Sequence, residues 1–293
     1  MPAYNCEKFV KLAIDSVLNQ SYGNFELLIS DDCSSDTTKE IIDSYKDPRI
    51  RTFHNTVNLG YLKASNKLFK QCKGNLISFQ DADDYSETDR FQRLVNLLEF
   101  DSALDCVGSS VRRISLSGEV VHARAFPETD SEIRSDFEKY KIVFTGSSLL
   151  LKKKVIERIG IYNEYFDRIG SEDIYMFSFI LQYFKVANIC EPLYNYRANP
   201  NSVTSTHKDP KAYVNHQLII HLYKRRLIGK EDYIQSGNWK KADNCAKYLM
   251  AINETKTSVI KSIFSFIGIS VLAPTLFPQF FREFVSNWRA NLN

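Results

Sequence analysis

Leu76-Ile77-Ser78-Phe79-Gln80-Asp81-Ala82-Asp83-Asp84 is a short apolar run that passes directly into three carboxylates within four residues. A run of this length and composition predicts a strand buried in a sheet. Three carboxylates packed into one turn repel one another unless a cation or hydrogen bonds compensate. With only hard oxygen ligands and no His or Cys beside them, Mg²⁺ or Mn²⁺ suits Asp81, Asp83 and Asp84 better than zinc or copper. Such an ion keeps positions open for phosphate oxygens and neutralises a diphosphate as it leaves. Asp83 or Asp84 would also serve as N-cap of a helix starting near Glu87, but a cap needs one aspartate.

Outward from this turn, apolar β-prone runs at 25–30, 50–53, 76–79, 106–111 and 142–151 alternate with helical patterns near 6–20, 37–46, 61–72 and 87–100. In the first helix Phe9, Ala13, Val17 and Gln20 fall on one stripe with Leu12, and Asn5 is a candidate N-cap. Alternation of this kind predicts an α/β fold with a mainly parallel sheet covered on both faces. Ligands bind such sheets beyond the carboxyl ends of the strands. A second run, Leu27-Leu28-Ile29-Ser30, also ends in acid, at Asp31-Asp32. The turn that follows, Cys33-Ser34-Ser35-Asp36-Thr37-Thr38, is full of capping side chains, and Ser35 or Asp36 would cap the next helix. Capping leaves Asp31 and Asp32 over, and a carboxylate there can accept an N–H from a nucleotide base. A third acidic pair, Glu172-Asp173, opens the amphipathic stretch 174–183, where the helix dipole alone would favour it.

The 293 residues, 44% hydrophobic and 25% charged, have the usage of a folded globular protein. Net charge is +3, but residues 205–293 hold 13 Lys/Arg against 6 Asp/Glu, leaving 25 against 29 before them. A basic tail on a slightly acidic body suits an anionic surface, and a solvated helical face has the same charge pattern. The six cysteines are widely spaced with no C-x-x-C pair, as small buried residues of a reducing compartment would be. Residues 1–20 carry Glu7, Lys8, Lys11 and Asp15 in place of a signal peptide's apolar core, which predicts a cytoplasmic protein. The five histidines form no pair at metal spacing, and there is neither a P-loop nor a GxGxxG. Beyond about residue 205 the pattern is helical, near 210–228, 230–251 and 256–272. The stretch 259–281 is the most apolar in the chain but is broken by Lys261, Pro274 and Pro278. A spanning helix needs about 20 nearly uninterrupted apolar residues, so this one is expected either to lie on a membrane or to pack on its own domain.

Taken together and in order, Pro2-Ala3-Tyr4-Asn5, Asp31-Asp32-Cys33-Ser34-Ser35-Asp36, Asn58-Leu59-Gly60, Asp81-Ala82-Asp83-Asp84 and Glu172-Asp173 resemble the family 2 glycosyltransferases of GT-A fold. The ordered set is specific, whereas a DxD alone is common. The resemblance covers residues 1–205 as a GT-A domain and leaves 206–293 as a helical C-terminal region. It implies an inverting, metal-dependent glycosyltransferase that uses a nucleotide-sugar, a UDP-sugar by preference. The acceptor would be a glycan or lipid-linked sugar of a surface polysaccharide, met at the inner face of the plasma membrane, with no nucleic-acid partner. It implies further that Asp32 contacts the base, that Asp83 and Asp84 with Asp81 serve the Mn²⁺ or Mg²⁺ and the sugar diphosphate, and that Asp173 is the general base with Glu172 beside it, raising its pKa. Pro2, Ala3 and Tyr4 would line the nucleotide, Lys63 and Asn66 would lie near it, and Thr145-Gly146-Ser147-Ser148 would face the acceptor. Arg197 would meet phosphate or brace its loop.

Two departures stand out. The family has an apolar strand before Pro-x-Tyr-Asn, of which Met1 would be the last position, so a central strand is expected to be missing, leaving exposed edges. Asn199 stands where the family often has a histidine, and it can donate a hydrogen bond but carries no charge. The competing functions are a nucleotidyltransferase, which would show a Gly-rich basic loop that is not visible here, and a catalytically impaired nucleotide-sugar or glycan binder.

Overall fold

The computed structural model describes residues 1–200 and 214–255, with side chains through 251. The chain divides into two compact units, Met1–His207 and Lys208–Asn293. In the first, the elements run β1 (Pro2–Ala3), α1 (Val10–Leu18), β2 (Leu27–Asp31), α2 (Thr38–Ser44), β3 (Ile50–His54), α3 (Tyr61–Phe69), β4 (Leu76–Ser78) and β5 (Tyr85–Ser86). They continue with α4 (Arg90–Phe100), β6 (Leu104–Ile114), β7 (Val120–Arg124), α5 (Asp130–Glu138), β8 (Leu150–Lys152), α6 (Lys153–Ile159), α7 (Glu172–Tyr183) and β9 (Lys185–Arg197).

β1, β2 and β3 form a parallel three-stranded sheet, with Pro2 opposite Ser30 and Leu27 opposite Ile50. All five residues of β2 are buried because helices cover both faces. The other sheet runs β4-β8-β6-β9-β5, with β7 on the side of β6. There only β6 and β9 are parallel, joined across α7, while β4, β5, β7 and β8 pair antiparallel. The mainly parallel pattern thus holds in the first sheet, and the second is mixed. The first strand is two residues long and pairs with β2 alone.

The buried stripe of α1 is Val10, Ala13, Ile14 and Val17, packed against Leu27, Ile29 and Ile42. Leu12, expected on that stripe, is 46% exposed. Asn5 does not cap α1, which starts after Phe9. Its φ is 46°, and its side-chain oxygen accepts from Ser35 N at 2.8 Å, tying the first loop to the loop after β2. Leu94, Val95 and Leu98 of α4 pack on Leu104, Val107 and Leu150 of the second sheet. The expected strand at 142–151 survives only as β8, because Gly146–Ser148 coils into a 3-10 turn. The cysteines are all free, and the expectation that they are buried fails for Cys33 and Cys190, which are exposed.

In the second unit α8 (Asn215–Leu227) and α9 (Trp239–Thr255) are described. The helix expected from 230 starts later, because Gly229 and Gly237 take φ of 69° and 77° and Asp232 Oδ1 accepts from Ile234 N at 2.9 Å in the turn between. The apolar stretch 259–281 lies outside the described residues. Among the described residues no helix is long and apolar enough to cross a membrane.

Ile29, fully buried at the centre of β2, measures how far the small first sheet depends on this core. Ile29→Ala is expected to cost roughly 2–5 kcal/mol through lost burial and the cavity left behind. Urea unfolding followed by circular dichroism would read this as a lower midpoint with an unchanged slope.

Candidate active site

The acidic turn is held from both ends. Before it, β4 pairs with β8, Ser78 opposite Leu150. After it, β5 pairs with β9, Tyr85 opposite Asn195. Asp84 points inward, 2% exposed, and its Oδ1 accepts the backbone N–H of Arg197 at 2.7 Å. Burial, and after it the charges of Asp81 and Asp83, push its carboxyl well above the usual range. Asp81 accepts from Tyr61 Oη at 3.0 Å and from Ser147 Oγ, and burial pushes it up as well. Asp83 is half-buried and accepts from Asn199 Nδ2 at 3.0 Å, so the asparagine found in place of a histidine is a donor to this turn.

The three aspartates therefore do not converge as one ligand set. Among the described residues no three His, Cys, Asp or Glu side chains form such a group. Asp84 belongs to the wall, fastened to β9, which leaves Asp83 and Asp81. That remainder fits Mg²⁺ or Mn²⁺, since such ions are commonly bound by one or two carboxylates and keep waters or phosphate oxygens elsewhere. Burial raises Asp81 and Asp84 first and the charge of Asp83 adds to it, and a cation would relieve that added repulsion.

Glu172 and Asp173 open α7 behind a tight approach in which Arg168, Gly170 and Ser171 all take left-handed φ of 56°, 82° and 77°. Burial pushes both carboxyls up. Asp173 is drawn back by the backbone N–H groups of Ile174, Asp173 and Gly146. Glu172 also faces the charge of Asp173 and rises to about 8. Glu172 therefore keeps its proton at neutral pH, while the N–H groups oppose the rise of Asp173.

At the nucleotide side, Ala3 is buried in β1 and its carbonyl accepts from Asp32 N at 2.8 Å, so the strand end delivers a 50%-exposed Tyr4 to the rim beside Asp32. Asp32 is 2% exposed and accepts from Asn55 Nδ2 at 2.8 Å, Leu59 N at 2.9 Å and Gly60 N at 2.8 Å. An ionised carboxylate has about four acceptor sites, so a base N–H would be its fourth partner. Lys63 and Asn66 each have a partner within the chain. Lys63 pairs with Asp167 at 2.5 Å, and the buried Asn66 amide brackets Tyr162, donating to its carbonyl at 2.8 Å and accepting from its N–H at 3.0 Å. Together they tie α3 to the segment leading into Glu172.

Of the two alternatives for Arg197, the geometry gives the brace. Its side chain is 3% exposed and donates to the carbonyls of Asp83 at 2.7 Å, Ser115 at 3.1 Å and Leu116 at 3.0 Å. Sequence reasoning missed Arg90, which is fully buried and donates to Ser147 O at 2.6 Å, Ser86 Oγ at 2.9 Å, Ser78 Oγ at 3.0 Å and Phe79 O at 3.2 Å. Its signal was present: Arg90, Leu94 and Leu98 recur every four residues, placing a cation on the buried stripe of α4.

Comparison with known proteins bears on the family and the fold. The family model described as Glycosyl transferase family 2 matches residues 1–160. The chain is 31% identical over 214 residues to an uncharacterized glycosyltransferase, EpsJ, of Bacillus subtilis, covering 70% of this chain and 61% of that one. It is 30% identical over 171 residues to the Escherichia coli UDP-Glc:alpha-D-GlcNAc-diphosphoundecaprenol beta-1,3-glucosyltransferase WfaP, covering 58% of this chain and 64% of that one. The chain thus spans less than two thirds of the length of these curated relatives. Among solved structures, S. aureus TarS 1-349 in complex with UDP matches with a TM-score of 0.59 at 17% identity, over 76% of this chain and 64% of that one. The mannosyltransferase PcManGT from Pyrobaculum calidifontis, in complex with GDP-Man and Mn²⁺, matches with a TM-score of 0.55 at 14% identity, over 95% of this chain and 81% of that one. Likeness at these identities establishes the fold, and the fold is that of GT-A.

Glu172 gives the site a pH signature. In the folded chain it holds its proton up to about 8, against 4.5 for the ordinary carboxyl. Between those values the folded state binds the extra proton, so stability is lost as pH rises through the window. Glu172→Gln cannot ionise and is expected to lose less stability than the wild type between about pH 5 and about pH 8. Parallel pH dependence of the two in thermal melts would contradict the shift.

Proposed function

The chain belongs to glycosyl transferase family 2, and from that premise we propose that it moves a sugar from a UDP-sugar to a hydroxyl of a glycan or lipid-linked acceptor, inverting the anomeric carbon. The observation that carries this reading is the meeting of two carboxylate groups across one short turn: Asp81, with Asp83 beside it, on one side and Asp173 on the other. Asp83 with Asp81 would hold Mn²⁺ or Mg²⁺, which supplies positive charge to the departing diphosphate. Tyr4 and Asp32 frame the base of the nucleotide. Asp173 takes the proton of the acceptor hydroxyl as its oxygen attacks the anomeric carbon, and the bond from that carbon to the diphosphate breaks with its electrons passing to UDP. Glu172, protonated beside it, spares Asp173 a second negative neighbour. UDP is favoured because WfaP is named for UDP-Glc and TarS is described with UDP. A lipid-linked acceptor and a role in surface-glycan synthesis find support in the diphosphoundecaprenol substrate in the name of WfaP. The basic C-terminal third is consistent with work at an anionic membrane surface.

A panel of UDP- and GDP-sugars, assayed for release of nucleoside diphosphate, is expected to give turnover with at least one UDP-sugar in Mn²⁺ or Mg²⁺ and none in EDTA. Asp83→Ala should abolish metal-dependent release, and unchanged turnover would sink the metal assignment. Asp173→Asn should bind UDP like the wild type while kcat falls about 10²–10⁴-fold, the usual worth of a general base; full activity would reject that role.

A further inference from the structure

Gly146 and Ser147 are neighbours in one buried 3-10 turn, and each touches a different end of the site. Ser147 Oγ donates to Asp81 Oδ2. Gly146 lies so close to the other end that a Cβ placed on it would stand 2.8 Å from Asp173 Oδ2 and 3.0 Å from Asp173 Cβ. The turn is internally closed, Ser148 N and Ser148 Oγ each donating to Thr145 O at 2.8 Å. It is anchored from outside by Arg90, whose Nη2 meets Ser147 O at 2.6 Å while the same guanidinium grips Ser78 and Phe79 ahead of the acidic turn and Ser86 after it.

Glycine at 146 is not demanded by the backbone. Gly146 is absent from the residues of positive φ, so its conformation is open to any L residue. What excludes a side chain is the close approach of Asp173. A turn that needed only to connect to β8 would tolerate alanine.

We propose that the Gly146–Ser147 turn is the spacer that sets the distance between the donor-side carboxylate Asp81 and the acceptor-side base Asp173, with Arg90 as its anchor. This rests on the reading of Asp81 and Asp173 given above. Gly146 and Ser147 are positioning residues, and because each holds a different partner, their loss separates two kinetic constants. Gly146→Ala must displace Asp173. A misplacement near 1 Å can cost about 10²-fold in rate, so kcat for UDP release falls by about that factor. UDP affinity in Mn²⁺ stays at the wild-type value because Asp81 keeps its donors, while the methyl pressed against Asp173 lowers the melting temperature by about a few degrees. Ser147→Ala instead leaves Asp81 held by Tyr61 alone of its two hydroxyl donors, so KM for the donor rises about tenfold and kcat changes less.

The test measures UDP release with the donor selected by the panel, UDP binding by calorimetry in Mn²⁺, and melting temperature, for wild type, Gly146→Ala, Ser147→Ala and Asp173→Asn. The split between a kcat effect at 146 and a KM effect at 147 supports the spacer. It is overturned by wild-type kcat in Gly146→Ala, by the same kinetic signature in both variants, or by Gly146→Ala losing UDP affinity along with rate. Asp173→Asn separates the two failures. If it turns over normally, the base reading fails and the spacer with it; if it is inactive while Gly146→Ala is normal, only the spacer fails.

Discussion

The guanidinium of Arg90 is sealed from solvent. Its hydrogen bonds go to two carbonyls and two hydroxyls, drawn from β4, the acidic turn, β5 and the 3-10 turn before β8. The rings of Phe91 and Tyr194 lie 5.4 Å and 4.9 Å from its charge. Burial lowers its pKa to about 10, still high enough to keep the charge at neutral pH. A buried charge is costly unless its donors are used, so these stretches must stay where they are. The stretch carrying Asp81 and the stretch carrying Ser147 are thereby fixed to one point.

Around that point the carboxylates divide into distinct states, although the sequence writes them all as acids. Asp84 is an interior group fastened to the backbone of β9. Asp32 shapes the loop that ends in Gly60, whose φ of 84° turns the chain into α3, with three donors on its carboxylate. Glu172 retains a proton because burial and Asp173 both oppose its ionisation. Asp83, Asp81 and Asp173 are what is left for chemistry, and their surroundings differ as their proposed roles do: hydroxyl and amide donors for the first two, backbone N–H groups for the third.

The two sheets contribute different parts. The parallel sheet brings Tyr4 and Asp32 together at its strand ends, while the mixed sheet carries the acidic turn between β4 and β5. The acidic pair Glu172-Asp173 comes from α7, which lies beyond the family match at residues 1–160. Its attachment to the rest runs through Lys63–Asp167, Asn66–Tyr162 and Gly146–Asp173. Lys63 and Asn66 of α3 thus tie that helix to the segment leading into α7.

Local sequence determined the alternation of strands and helices, the acidic turn after β4, Asp32 after β2 and the acidic pair opening α7. Each is a pattern of neighbours, legible because side-chain periodicity and strand ends are local properties. The order of the motifs was enough to indicate the family. Tertiary structure decided which carboxylates are available, because burial and the identity of a distant donor set the state of an acid, and neither is written beside it. It decided that Arg197 braces the turn, since the carbonyls it grips lie about eighty residues away in sequence at Ser115 and Leu116. It also decided the part played by Gly146, whose missing side chain has meaning only once α7 has folded back to place Asp173 against it.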